Sequence, residues 1–437
     1  MSTSPEQEIL HPSTPSPEDA EPGGAGNSLT RRHFLQGAAV TGTGLVAVTL
    51  AACAPAAVNE WTYATSKPQP GASTSPSPVA TPAAIPTATP TPSETPGHSP
   101  SPAPPPSPSA PTEPIPPGWS EHDVNARQAV RRFVGNLAKP LGLDYVLGAD
   151  WTDDPEYLLV QGGNPTGTNW LEPKIDGDWK VFELTIDEID HQTDLVSKPL
   201  KALGYNKMWP GPAMRVTEGD KVRAIFTNNM PETSGVHFHG VEPDDYRMDG
   251  VPMVTQVPIV PGAAFTYEFV ARPSGSMMYH SHHNAADQVG RGLLGAFIID
   301  PKEPAERYAR KYGVTQEIIW IHNDAGRFTI NGRQFPATAP IVAKKGEKVL
   351  VRFMNEGIMM HPWHSHGFRM RVVARDGAPL GSASFDCDTL GVNPGERWDA
   401  IISCDRPGVW AFHCHILPHA EGPDGMFGMV TALVITL

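Results

Sequence analysis

Cysteine is scarce in this chain. Only Cys53, Cys387, Cys404 and Cys414 occur in 437 residues. That is too few for a disulfide scaffold, so each thiol needs its own explanation. Positive charge is short too: 33 Lys and Arg face 47 Asp and Glu, a formal net charge of −14. Such a balance argues against nucleic acid and against an anionic membrane surface as partners. The most apolar N-terminal run, Gly37–Ala52, is short for a spanning helix and holds three glycines. Helical periodicity is nearly absent beyond Tyr157. In its place come short alternating segments divided by Gly and Pro: Val181–Ile189, Met214–Asn228, Phe265–Ala271, Lys348–Asn355 and Trp398–Ser403. This pattern predicts an all-β fold built of β-sandwiches.

The first 118 residues read as address and tether. Arg31-Arg32 ahead of the Gly37–Ala52 run resembles a twin-arginine export signal. Leu50-Ala51-Ala52-Cys53 resembles a bacterial lipobox, in which Cys53 becomes a lipidated N-terminus. Residues 1–53 are therefore expected to export the protein to the cell surface or beyond, lipid-anchored through Cys53. Residues 54–118 are expected to be a disordered tether: 19 of the 48 prolines fall between Ser66 and Pro117. Such a stretch buries too little apolar surface to fold, and polyproline geometry makes it a spacer. Over 119–150 a helical lead-in is expected. Ser120 can cap it, and Val124, Ala126, Val130, Phe133, Val134 and Leu137 recur at near-helical spacing.

The remainder contains one unit twice. Gly219-Asp220-Lys221-Val222 precedes His237-Phe238-His239-Gly240 as Gly346-Glu347-Lys348-Val349 precedes His364-Ser365-His366-Gly367. Pro261-Gly262 precedes His280-Ser281-His282 as Pro394-Gly395 precedes His413-Cys414-His415. The period is about 130 residues, which assigns 151–302 to one domain and 303–437 to the next. Each copy carries two His-x-His pairs. On a strand, residues i and i+2 face the same way, so each pair offers two imidazoles to one side.

The second copy has further donors. Cys414 is followed by His419 and by Met426, and His361 lies just before the first pair. Two imidazoles, a thiolate and a thioether point to a blue-copper site. The repeat offset places Ser234, Ser281, Ala286 and Leu293 at the matching positions of the first copy, which therefore lacks this site.

His361-Pro362-Trp363-His364-Ser365-His366-Gly367 and His413-Cys414-His415-Ile416-Leu417-Pro418-His419 resemble the copper signatures of multicopper oxidases. The arrangement is most similar to bacterial two-domain (small) laccases. The resemblance implies two cupredoxin-like Greek-key sandwiches. It also implies copper as cofactor, four per chain: one type 1, one type 2 and two type 3. His361, Cys414, His419 and Met426 would hold type 1, although Met426 lies two residues further from the Cys than is usual. Met429 is the alternative. His237 and His364 would hold type 2; His239, His280, His282, His366, His413 and His415 would hold the type 3 pair. Asp249 matches the family's proton-supplying acid, and Cys414 takes up the electrons.

The implied reaction is one-electron oxidation of a phenol, aromatic amine or Cu(I), coupled to four-electron reduction of O₂ to water. A copper nitrite reductase and an electron-transfer protein without turnover are the alternatives. The resemblance further implies a homotrimer with clusters between subunits. In an oxidising compartment a Cys387–Cys404 disulfide is expected.

Overall fold

The computed structural model describes residues 115–134, 169–194, 198–423 and 425–437. The expected export signal (1–53), the tether up to residue 114, and residues 135–168 lie outside them. The described chain is mainly β-strand, as the alternating pattern predicts. Of the lead-in, a helix forms over Glu121–Val134. Ser120 caps it: its hydroxyl accepts from the Asp123 amide at 3.3 Å, while Asp123 accepts from the Ser120 amide at 2.7 Å.

Two sandwiches follow. In the first, one sheet orders Lys174–Asp176, Trp179–His191, Lys221–Asn228 and Ala264–Val270, with Leu200–Tyr205 also paired to Trp179–His191. The facing sheet orders Met214–Thr217, Leu294–Asp300, Gly275–Ser281 and Val236–His239. In the second, one sheet is built around Gln316–Asn323, Lys348–Asn355, Arg397–Ser403 and Met370–Arg375. Its partner orders Ile341–Lys344, Val430–Thr436, Gly408–Cys414, His361–Ser365 and Thr389–Val392.

Two expectations need correction. Met214–Asn228 is not one strand. It breaks at Gly219, whose φ of +92° turns the chain, and its halves join opposite sheets. Gly346 (φ +94°) does the same between Ile341–Lys344 and Lys348–Asn355. Nor are Cys387 and Cys404 bridged to each other: both are free thiols. Met370 pairs with Cys387 on one side and with Ile402 on the other. A whole strand therefore separates the two cysteines, about 10 Å at two strand spacings, beyond the ~7 Å a disulfide tolerates.

The sandwiches are joined by a buried seam. Ile318 and Trp320 point into the second core, while Ile319 and Ile321 pack with Met278, Ala296 and Ile298 of the first sandwich. Both faces of that strand are covered, which is why it reads as continuously apolar. Beside it lies an ionic knot. Arg352 donates to Ser276 Oγ at 2.7 Å, to Glu317 at 2.9 Å and to Asp399 at 3.2 Å. Arg215 of the first sandwich grips both Glu317 oxygens at 2.6 and 2.7 Å.

Burial alone would raise the Glu317 carboxyl, yet Arg352 and Arg215 hold it down to about 2, against an ordinary 4.5. The ionised group thus stabilises the fold above about pH 4.5, and that contribution fades as pH falls towards 2. Glu317→Gln leaves two guanidiniums underpaired in the seam and is expected to cost about 3 kcal/mol near neutral pH. Thermal melts of both proteins should show the gap narrowing across that acid window. A gap that does not change with pH would contradict this account.

Candidate metal centre

Strand register builds the first group of donors. Cys414 lies opposite Trp363, and His364 lies opposite His413. Residues directly opposite share a face, so His361, two before Trp363, comes diagonally to Cys414 on the interior side. His419 arrives from the short 3-10 turn Leu417–His419. The Cys414 Sγ stands 3.7 Å from Nδ1 of His361 and 3.7 Å from Nδ1 of His419. All three are closed to solvent, at 0%, 0% and 2% exposure for His361, Cys414 and His419. Burial pushes the Cys414 thiol up to about 12 and His419 down to about 4. A thiolate here requires a cation beside it.

Asp324, which the sequence reading passed over, orients this group. Its Oδ2 lies 3.4 Å from His361 Nε2, and its oxygens accept from the amides of Ile358 (2.6 Å) and Met359 (2.9 Å). Burial would raise Asp324, but these hydrogen bonds keep it below the usual carboxylate value. With Nε2 so held, Nδ1 faces the thiol. Phe328 stacks on His419 at 4.2 Å. His322 is buried behind the group, where Trp363 Nε1 donates to its Nδ1 at 3.2 Å.

The two thioethers part company. Met429 is fully buried in the core cluster that contains Cys414, and its carbonyl accepts from the Cys414 amide. Met426 is half-buried in a neighbouring cluster with Ala420 and Phe335. It sits in a small hairpin, Glu421–Gly422 against Gly425–Met426.

The paired histidines form two quartets on the opposite strand faces. His237 lies 5.6, 5.5 and 5.6 Å, ring to ring, from His239, His280 and His282. His364 lies 4.8, 5.9 and 5.5 Å from His366, His413 and His415. His239 and His280 bring ring nitrogens to 3.3 Å, as do His366 and His413 to 3.1 Å. Two imidazoles sharing one ion at about 2 Å each would stand so. Backbone carbonyls orient the rings: Asp249 O meets His237 Nδ1 at 2.6 Å, and Asp388 O meets His364 Nδ1 at 3.1 Å. Burial, then Arg397, lowers His239 to about 3, and burial lowers His280 to about 4. These rings are neutral and ready to ligate.

Asp249 also brings its carboxylate Oδ1 to 3.6 Å from His237 Nδ1. Gly250 permits this approach, since at φ +87° a Cβ there would run into the Val236 carbonyl. Arg397 is a second residue missed from sequence. It crosses from the second sandwich, donates to the Ser276 carbonyl at 3.2 Å and lies against Gly240, next to His239. Among the described residues no ring of one quartet contacts a ring of the other.

In the first sandwich the place of the thiolate group is filled. Ser234 and Ser281, where the second copy has His361 and Cys414, both donate to the Gln288 carboxamide oxygen, at 2.9 and 2.6 Å. Gln288 Nε2 donates in turn to the Thr233 carbonyl. Sequence gave no sign of this plug.

A pair of sandwiches with a buried Cys-His-His group and two histidine quartets defines a copper-binding cupredoxin protein. Multicopper oxidase profiles match residues 189–304 and 310–433. The chain belongs to the multicopper oxidase family. The solved multicopper oxidase mgLAC is 36% identical, with a TM-score of 0.55 over 58% of this chain and 86% of that one. The blue copper oxidase of Nitrosomonas europaea is 32% identical, with TM-score 0.55 over 58% and 85%. Curated relatives include the iron transport multicopper oxidase FET5 of Saccharomyces cerevisiae, 33% identical over 46% of this chain and 36% of its own length. The copper resistance protein A homolog of Pseudomonas syringae is 31% identical over 46% and 31%. The chain thus spans about a third of the length of these two relatives.

Asp324→Ala should free His361 to rotate and weaken copper binding at the Cys414 site by about 10- to 100-fold, the usual cost of losing an outer partner. Competition with a chelator of known affinity measures it. Unchanged affinity would remove Asp324 from the site.

Proposed function

We propose that this chain is a laccase-like oxidase that draws single electrons from a small reducing substrate and reduces O₂ to water. The observation that carries the reading is His413-Cys414-His415 in place. The thiol faces inward to His361 and His419, while its two neighbours belong to an outward quartet. The donor sets fit copper: one buried thiol with two imidazoles in one place, neutral imidazoles alone in the other. When bound, copper supplies one-electron uptake beside the thiolate and the electrons for four-electron O₂ reduction among the imidazoles.

His361, Cys414, His419 and Met426 would hold the type 1 ion. His237 and His364 would hold type 2, and His239, His280, His282, His366, His413 and His415 the type 3 pair, four coppers per chain. Cys414 is one peptide unit from His413 and His415, so a covalent path joins the two kinds of site. Asp249, half-exposed with its Oδ1 beside His237 Nδ1, is the proposed route by which protons reach the quartet. Ser281, locked to Gln288, leaves the first sandwich without the thiolate a nitrite reductase would need there. Phenols, aromatic amines and Cu(I) are the substrate classes proposed, and export with a lipid anchor at Cys53 is the proposed setting.

Copper-loaded protein is expected to be intensely blue, to hold four coppers and to consume O₂ with one of these reductants. Cys414→Ser should abolish the colour and cut turnover beyond the roughly 100-fold of an outer-partner loss, while keeping most quartet copper. A blue Cys414→Ser protein, or loaded wild type that takes up no O₂, would sink the reading.

The proposed assembly is a homotrimer in which the first-sandwich quartet of one subunit meets the second-sandwich quartet of its neighbour. The separation of the quartets within the chain supports this. So does the apolar pair Met253 and Val254, 80% and 75% exposed, a few residues after Gly250, whose backbone abuts His237. Such a head-to-tail contact must close into a ring or grow into a filament. His237→Ala/His239→Ala chains and His413→Ala/His415→Ala chains should each be inactive. Co-assembled, they should regain activity wherever two intact halves meet. Confirmed mixed trimers that stay inactive would place the cluster within one chain.

A further inference from the structure

The helix Glu121–Val134 belongs to neither sandwich, and it lies outside both segments that match the family. Yet it is docked firmly. Val124 and Phe133 are 1% and 3% exposed, and the Phe133 ring packs 5.1 Å from that of Phe335. Its landing site is specific. Phe133 shares a cluster with Ala420, next to His419, and with Met426. The helix backbone lies directly on the hairpin: a Cβ at Gly425 would stand 3.4 Å from the Ala126 nitrogen. At the other strand of the hairpin, His122 Nε2 meets Glu421 Oε1 at 3.3 Å. The helix is thus anchored on Phe335 and its neighbours, and it meets the segment after His419 through the shared cluster, through Glu421 and through the backbone at Gly425.

We propose that this helix is a fitted cover for the hairpin that carries Met426, the thioether assigned above to the Cys414 site. Ala126 and Phe133 hold the Glu421–Met426 hairpin in register and keep water from Met426. The loop needs such support. It closes on a two-stranded hairpin of four paired residues, which has little stability by itself. A thioether is a weak ligand, and its distance and dryness tune the potential of a thiolate copper site. The helix thus acts as a positioning element: it sets how readily the site takes an electron, without touching a reacting atom. The inference rests on the copper reading above, though the docking can be tested without metal.

The test uses full-length Phe133→Ala, the milder Val130→Ala on the same partly buried face, and Phe133→Leu as the conservative rescue. Hydrogen exchange of metal-free protein is expected to run at least tenfold faster at Glu421–Met426 in Phe133→Ala, less so in Val130→Ala, and near wild type in Phe133→Leu. Copper-loaded Phe133→Ala should keep its copper count but show a lower reduction potential and a changed thiolate-to-copper absorption. Where Phe133→Ala fails to fold, Val130→Ala carries the same comparison. Unaltered exchange at the hairpin, or a potential and spectrum equal to wild type despite faster exchange, would overturn the cover. Failure of the wild type to bind copper at Cys414 would instead overturn the functional reading, and the exchange result would still decide whether the helix secures the hairpin.

Discussion

Alternation across a strand is the constraint from which the site is built. In each of the four His-x-His pairs the middle residue turns inward while the histidines turn out. Phe238 fills the first core, Ser281 bonds Gln288, Ser365 donates to the Phe368 carbonyl, and Cys414 faces His361 and His419. A one-residue slip of His361–Ser365 or Gly408–Cys414 would exchange the two sets and destroy both sites of the second sandwich at once, and a slip in the first sandwich would turn its quartet inward. The antiparallel pairing of His364 with His413 and of His237 with His280 holds that register. So does the packing of Trp363, which must remain in the core with Phe353 and Phe412.

The same scaffold also explains how one copy can lack the thiolate group without harm. Removing a buried thiol and two imidazoles from a sandwich would leave polar backbone and a void, both costly. Ser234, Ser281 and Gln288 fill that volume with neutral groups that satisfy one another. The quartet on the outer face survives because it depends on the register and not on what occupies the inner face.

Much of this was legible in the sequence because local spacing encodes it. The His pairs, Cys414 and His361 lie within short segments whose strand period assigns a face to each, and His419 follows Cys414 by only five residues. Asp324, Gln288 and Arg397 had no such signature. Each has a partner far along the chain: 34 residues for Asp324 to Ile358, 54 for Gln288 to Ser234 and 121 for Arg397 to Ser276. The failed disulfide has the same origin. Cys387 and Cys404 both lie near strands of one sheet, but only the three-dimensional order reveals that Met370–Arg375 runs between them. Met214–Asn228 read as one strand because a glycine at φ +92° interrupts neither its length nor its alternation on paper.

The seam between the sandwiches then acquires a role beyond stability. Arg397 ties the Gly395 carbonyl at 3.0 Å to the Ser276 carbonyl at 3.2 Å, so the Pro394–Gly395 turn is held against His239. Arg352, Glu317 and Asp399 fix the neighbouring strands with charges buried in the same joint. A joint of matched charges tolerates sliding poorly, because each shift leaves a buried ion unpaired. An apolar seam alone would permit small rotations at little cost, since dispersion contacts are individually weak and non-directional. In the proposed ring, each quartet must meet one from another chain to within bonding distance of shared ions. An error in the angle between sandwiches would repeat at every contact and prevent closure. In that ring the ionic knot would hold the angle, a role that apolar residues of equal volume could not fill.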